Sequence, residues 1–240
     1  MKGVVLAGGK GSRINDVTQG CNKCLLKVNG KALIRYNVEH LLSLEEVTEC
    51  IVVVGYHAES GMREIGNVCN QKKVTYCIQT EQKGLIHALE SAKYALGSDD
   101  FIMVLGDEYV SDNTYKAAIS EFYQSDTACM IGIIEADDME LVKRTYSFRM
   151  DTKGGMTDFV EKPKTPFNCF MGTGNMIAKG SVMRLLEEIP VNPVRNEREL
   201  VGLFNLLLEK KHKISSFIVG SHYVNVNTSN DLEMLEQIVK

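Results

Sequence analysis

An α/β fold with a largely parallel central sheet is what this sequence predicts, on three observations. Short apolar runs alternate with amphipathic stretches through the first half of the chain. The runs are unbroken rather than alternating, as expected of strands buried on both faces. Each is separated from the next by a helical pattern, and that β-α-β repeat implies parallel strands with right-handed crossovers.

In order, "GVVLAG", "CIVVVGY", "VTYCIQ" and "FIMVLGD" are the buried strands. Between them "ALIRYNVEHLLSL", a shorter stretch over 59–68, and "LIHALESAKYAL" have helical spacing. After residue 110 a helix ("TYKAAISEFYQ") and a strand ("TACMIGII") precede strand-like "YSFRM" and "TDFVEKP", with "DTKGGM" as a hairpin turn between those two. "CFMGTGNMIA" follows, then helices around 180–188 and 198–210, the strand "KISSFIVG" and a last helix from Ser229, for which "NTSND" offers capping residues. Neither linker, low-complexity tract nor repeat divides the 240 residues, so one domain over 1–240 is expected.

The composition excludes several partners. Hydrophobic residues make up 44% and charged residues 24%, and net charge is −4 from 27 basic and 31 acidic side chains. Such a chain has no overall basic field to attract nucleic acid. No apolar run approaches the roughly 18 residues of a membrane span. Residues 1–13 lack a secretory leader pattern, so cytoplasm is the expected compartment. The seven cysteines are scattered through apolar segments, which fits buried reduced thiols. Cys21-x-x-Cys24 has no second pair to complete a four-cysteine zinc site, and no metal or redox role is expected of it.

"VVLAGGKGSR" places a glycine-rich bend, a lysine and an arginine directly after the first strand. Glycines let a ligand approach the main chain, and successive free N–H groups make an anion-binding concavity. Lys10 and Arg13 add full positive charges, so a phosphate-rich guest such as a nucleoside triphosphate is expected. The spacing matches neither a P-loop nor a dinucleotide fingerprint. Ligands of open α/β sheets sit beyond the carboxyl ends of strands. Gly8 to Arg13, Gln79 and Asp107 all fall there, after the first, third and fourth strands.

Those residues carry a resemblance. "LAGGKGSR…NKCLLKVNGKALI" resembles the signature of the sugar-phosphate nucleotidyltransferases, roughly L-A-G-G-x-G-[ST]-R and then P-K-x-L-x-x-[VP]-x-x-K-P. "QTEQKGLIHAL" resembles their base-reading segment, "LGDE" their metal-binding aspartate and "FVEKP" their acceptor-phosphate lysine, while "GTGNM" and "VNVNTSNDL" fall in order where later motifs lie. The likeness spans Lys2 to about Leu235. It implies a three-layer α/β/α Rossmann-like nucleotide-diphospho-sugar transferase fold with a mixed, mostly parallel sheet. A nucleotide-binding half would cover 1–110 and an acceptor-binding half 111–240.

The implied reaction is attack by a sugar 1-phosphate oxygen on the α-phosphorus of a pyrimidine nucleoside triphosphate, releasing pyrophosphate. By resemblance Leu6, Ala7, Gly8, Gly9, Lys10 and Gly11 hold the nucleotide, and Arg13 stabilises the departing pyrophosphate. Lys23 neutralises phosphates near the α-position, and Lys162 positions the attacking phosphate. Gln79 and Gly84 read the pyrimidine edge. Glu161, Thr173 and Gly174 contact the acceptor. Asp107 holds Mg²⁺ with Asn225, which stands where the thymidylyltransferase branch has aspartate and lowers the charge there by one. Asn22 replaces a common proline, a change in rigidity. Ser147 replaces a common glycine, and its Cβ is expected to reshape the acceptor pocket. A cytidylyltransferase for a non-sugar phosphate is the alternative reading; a non-catalytic nucleotide-sugar binder and a glycosyltransferase rank below it. UTP, dTTP and CTP, the acceptor, and the oligomeric state stay open at this stage.

Overall fold

The computed structural model describes residues 1–9, 20–152 and 154–239. Fourteen strands are named in chain order: β1 (Lys2–Ala7), β2 (Lys27–Val28), β3 (Lys31–Ala32), β4 (Glu49–Val54), β5 (Val68–Cys69), β6 (Lys72–Ile78), β7 (Phe101–Leu105), β8 (Glu108–Ser111), β9 (Cys129–Glu135), β10 (Tyr146–Met150), β11 (Met156–Glu161), β12 (Phe170–Ala178), β13 (Ile214–Ile218) and β14 (His222–Asn225). An eight-stranded sheet runs β13-β9-β12-β7-β1-β4-β6-β5. β1, β4, β6 and β7 are mutually parallel, as are β9 and β13, whereas β12 runs antiparallel to both β7 and β9, and β5 to β6. The sheet is therefore mixed and mostly parallel, and it runs through strands from both halves of the chain.

Alternation along each strand feeds two cores. Val4, Leu6, Ile51, Val53 and Met103 pack on one face with Leu89, Phe204 and Leu207 from helices Leu85–Ser91 and Leu200–Glu209. Val5, Val52, Val54, Ile102 and Val104 pack on the other with Ile34, Leu41, Ile119 and Phe122 from helices Leu33–Ser43 and Tyr115–Gln124. Both faces being covered explains why the strands read as unbroken apolar runs. The three layers are helix, sheet and helix.

Most expected elements lie within a few residues of their places. The stretch 59–68 is a helix at Ala58–Ile65, ended by Gly66 at φ +77°. "LIHALESAKYAL" divides into Leu85–Ser91 and Lys93–Leu96. The expected helix over 180–188 is instead two 3₁₀ turns, Gly180–Arg184 and Leu186–Glu188. Gly180 packs closely against the Ser98 carbonyl, and Pro190 follows the second turn. The last helix, Ser229–Ile238, opens on a capping box between Thr228 and Asp231. The pairing of β14 with β8, of β2 with β3 and of β5 with β6 has no counterpart in the sequence reading. These strands are too short or too polar to show a period.

Candidate active site

The candidate residues line the carboxyl edge of the parallel strands. Gly8 follows β1, Tyr56 lies just beyond β4, Gln79 follows β6 and Asp107 lies just beyond β7. The Tyr56 amide donates to the Gly8 carbonyl at 3.2 Å. Gln79 is buried, and its Nε2 donates to the Gly84 carbonyl (3.2 Å) and lies 3.3 Å from His87 Nδ1. Leu6 and Ala7 are buried at the end of β1. Lys10, Gly11 and Arg13 lie outside the described residues.

Gly8 and Gln79 are in direct contact, which sequence spacing alone does not show. A methyl added to Gly8 would lie 2.3 Å from Gln79 Oε1. Gly8→Ala is therefore expected to displace the Gln79 amide, at a cost of about 1–3 kcal/mol for overpacking. Weaker triphosphate binding by calorimetry, with a lowered denaturation midpoint, checks this; native affinity would contradict it.

Lys23 opens a short 3₁₀ turn, Lys23–Leu25, on which Asn22 is the cap. The Asn22 amide donates to the Ala7 (2.8 Å) and Tyr56 (3.1 Å) carbonyls, and its Oδ1 accepts from the Cys24 amide (3.0 Å). Hydrogen bonds thus fix this turn to the ends of β1 and β4, where the family signature has proline. Lys23 Nζ forms an ion pair with the Asp107 carboxylate and donates to Val226 O and Asn227 Oδ1, both at 3.2 Å. The Val226 amide in turn donates to the Asp107 carbonyl at 2.9 Å. An ammonium cation is thus cradled by carboxylate, carbonyl and amide oxygens. Hard oxygen donors with one carboxylate suit a divalent cation that keeps waters and substrate phosphates as its other ligands. Among the described residues, no cluster of three or more His, Cys, Asp and Glu offers an all-protein cage.

Behind this pair sits Glu108, only 3% exposed. Its carboxyl group accepts from Gly174 N (3.2 Å), Asn175 Nδ2 (2.9 Å), Tyr223 Oη (2.6 Å) and Asn225 Nδ2 (3.3 Å). Burial, then the neighbouring Asp107 carboxylate, pushes its carboxyl up to about 8, while Tyr223 and the Gly174 amide pull it down. Asn225 lies opposite Glu108 in the β8–β14 pair, which brings it to the same edge as Asp107.

The acceptor residues gather on β10, β11 and β12. A register shift in β12 between Gly172 and Met176 makes a bulge at Thr173–Gly174 rather than the turn the sequence resemblance implies. The Thr173 hydroxyl is engaged by Gly132 O at 2.8 Å, and a methyl on Gly174 would lie 2.2 Å from Leu105 Cγ. Ser147 is fully buried, and its Oγ accepts from the Phe167 amide at 2.9 Å. The hydroxyl thus fastens the segment after Pro163. Glu161 Oε1 accepts from Arg195 Nη1 (3.1 Å), which also reaches Glu199 Oε1 (2.6 Å). Burial, then Glu199, raises the Glu161 carboxyl, opposed by Arg195. Lys162 is exposed at φ +47°, with its amide donating to Thr145 O at 2.7 Å. A left-handed conformation costs a non-glycine residue about 1–2 kcal/mol. Such outliers cluster at functional sites.

Glu108, Asn175, Tyr223 and Arg195 are absent from the sequence reading. The signals available were faint: an acid opening the apolar "YV" of β8, and Arg195 and Glu199 at i, i+4 spacing before an apolar helix.

Comparison with known proteins bears on these contacts. The family model described as "Nucleotidyl transferase" matches residues 2–225. The low-salt glycan biosynthesis nucleotidyltransferase Agl11 of Haloferax volcanii is 29% identical over all of this chain and 66% of its own length. The UTP–glucose-1-phosphate uridylyltransferase AglF of the same organism is 26% identical over 99% of this chain and 96% of its own. The chain thus spans about two thirds of the first relative and nearly all of the second. A crystal structure of a candidate glucose-1-phosphate thymidylyltransferase from Bacillus anthracis, in complex with sucrose, superposes with a TM-score of 0.88 at 24% identity, covering 99% of this chain and 94% of that one. That likeness shows the shared fold.

Proposed function

We propose the reaction from one premise: the chain belongs to the nucleotidyl transferase family. The reading is transfer of a nucleoside monophosphate from a pyrimidine triphosphate to a sugar 1-phosphate. A phosphate oxygen of the acceptor forms a bond to the α-phosphorus, the bond from that phosphorus to the β-phosphate bridge breaks, and pyrophosphate leaves with the electron pair.

The observation that carries this reading is the order of groups along one sheet edge. Across β12, β7, β1, β4 and β6 lie the Thr173–Gly174 bulge, Asp107, Gly8, Tyr56 and Gln79. Acceptor phosphate, α-phosphate and base would then be bound in the order in which they are joined in the product, with the cation beside the phosphates. Gln79 and Gly84 orient the base. Gly8 and Gly9, with Lys10, Gly11 and Arg13, hold the triphosphate. Lys23 neutralises charge at the α-phosphate, and Lys162 holds the attacking phosphate in line. Catalysis is then positioning and electrostatics, because a phosphate dianion needs no general base.

Asp107 and the oxygens around Lys23 Nζ would hold Mg²⁺, whose chemistry when bound is to neutralise phosphate charge. Cytoplasm is the compartment this reading assigns, since all seven cysteines are unpaired thiols.

The test is a matrix of nucleoside triphosphates against sugar 1-phosphates, read by pyrophosphate release. A mismatched base edge leaves buried polar groups unpaired at about 1–3 kcal/mol. A pyrimidine preference of roughly ten- to a hundredfold in kcat/KM is expected, and preference for ATP or GTP would overturn it. Excess pyrophosphate with the nucleotide-sugar should regenerate the triphosphate, which a non-catalytic binder cannot do.

A further inference from the structure

The geometry points to Glu108 as a positioning residue that fixes the polarity of the Asn225 amide and, through it, helps to turn the oxygen rather than the NH₂ of Asn227 toward the cation site. Asn225 Nδ2 donates to Glu108 Oε1 at 3.3 Å, so Asn225 Oδ1 is turned to the other side, where it accepts from Asn227 Nδ2 at 2.7 Å. Asn227 Nδ2 is engaged there and by the Asn225 backbone carbonyl at 3.2 Å, and Asn227 Oδ1 faces Lys23 Nζ at 3.2 Å. A primary amide presents its oxygen on one side only when its NH₂ is taken up on the other. The buried carboxyl is the fixed end of this relay, anchored by Gly174, Asn175 and Tyr223 as well. If the Asn227 amide turned over, NH₂ would be aimed at a cation. Outer partners of this kind orient the groups that touch a metal, and losing one typically costs 10–100-fold in metal affinity or activity.

This inference rests on the cation site of the proposed reaction, and exchanging carboxyl and amide between positions 108 and 225 tests it. Glu108→Gln leaves one acceptor oxygen and an NH₂ against four donors and is expected to weaken Mn²⁺ binding 10–100-fold. Mn²⁺ is titrated by electron paramagnetic resonance on the full chain, with the α,β-methylene analogue of the triphosphate that the wild type turns over best. Asn225→Asp alone removes the NH₂ from which Glu108 accepts and is also expected to weaken binding. In the double variant the new glutamine NH₂ can donate to the new aspartate, whose remaining oxygen still accepts from Asn227. Asn225→Asp should therefore harm the native background and rescue the Glu108→Gln background to within a few-fold of wild type.

Native Mn²⁺ affinity in Glu108→Gln, or the same effect of Asn225→Asp in both backgrounds, overturns the relay. A purely structural role would lower the melting temperature of Glu108→Gln without that reversal of sign. Should Glu108→Gln fail to fold, Asn225→Asp alone decides, and Mn²⁺ binding as tight as wild type or tighter overturns the inference. Wild type that binds Mn²⁺ without releasing pyrophosphate refutes the reaction but not the relay. Wild type that binds none refutes both.

Discussion

Asp107→Asn should reduce kcat by about 10²–10³-fold, the usual cost of removing an electrostatic stabiliser from a preorganised site. The substitution is nearly isosteric, and Asp107 lies in a short turn between β7 and β8, held by the Val226 amide through its backbone carbonyl rather than its carboxylate. The turn should therefore survive the change. The anionic charge in the cradle formed with Val226 O and Asn227 Oδ1 does not, because Glu108 is turned inward onto four other donors. Lys23 loses its counter-charge at the same time. Turnover measured across Mg²⁺ and Mn²⁺ titrations separates two effects. A loss recovered at high metal concentration would mean weaker binding, whereas a loss persisting at saturation would mean failed charge neutralisation. Near-native turnover at saturating Mg²⁺ would remove Asp107 from the cation site.

The sheet was legible because burial on both faces leaves runs such as "CIVVVGY" with no polar positions, and the phosphate-facing edge was legible because glycine and basic residues follow the first run directly. The contacts that organise the site are of another kind. Glu108 meets Gly174, Asn175, Tyr223 and Asn225 at sequence separations of 66, 67, 115 and 117, which no local period reports. Glu161 meets Arg195 across 34 residues for the same reason. Asn22 was visible as a departure from proline, but its three hydrogen bonds depend on where β1 and β4 end. Ser147 was visible as a departure from glycine expected to reshape the acceptor pocket; that its hydroxyl accepts from the Phe167 amide, 20 residues on, was not. Asn225 read from sequence as a neutral metal partner, and only the fold gives its amide nitrogen a second use.

Lys162→Ala should lower kcat/KM for the acceptor by about 10²–10³-fold while triphosphate affinity stays within about twofold. The side chain is exposed and makes no ion pair among the described residues, so its removal leaves no carboxylate stranded. The left-handed backbone at φ +47° is held by the bond from the Lys162 amide to Thr145 O, which alanine retains. Alanine also keeps the steric cost of that conformation, so little change in stability is expected. Lys162→Gly separates charge from strain. Glycine relieves about 1–2 kcal/mol of left-handed strain, offset in part by its greater unfolded-state entropy. It should therefore match or exceed the alanine variant in stability while losing just as much acceptor use. Arg13→Ala is expected to behave differently, impairing turnover with every acceptor, because the proposed reaction assigns Arg13 to the departing pyrophosphate. Initial rates with acceptor and triphosphate varied in turn, alongside calorimetric triphosphate binding, distinguish the two. Equal loss of triphosphate affinity in Lys162→Ala and Arg13→Ala would place both side chains on the triphosphate and leave the attacking phosphate without its cation.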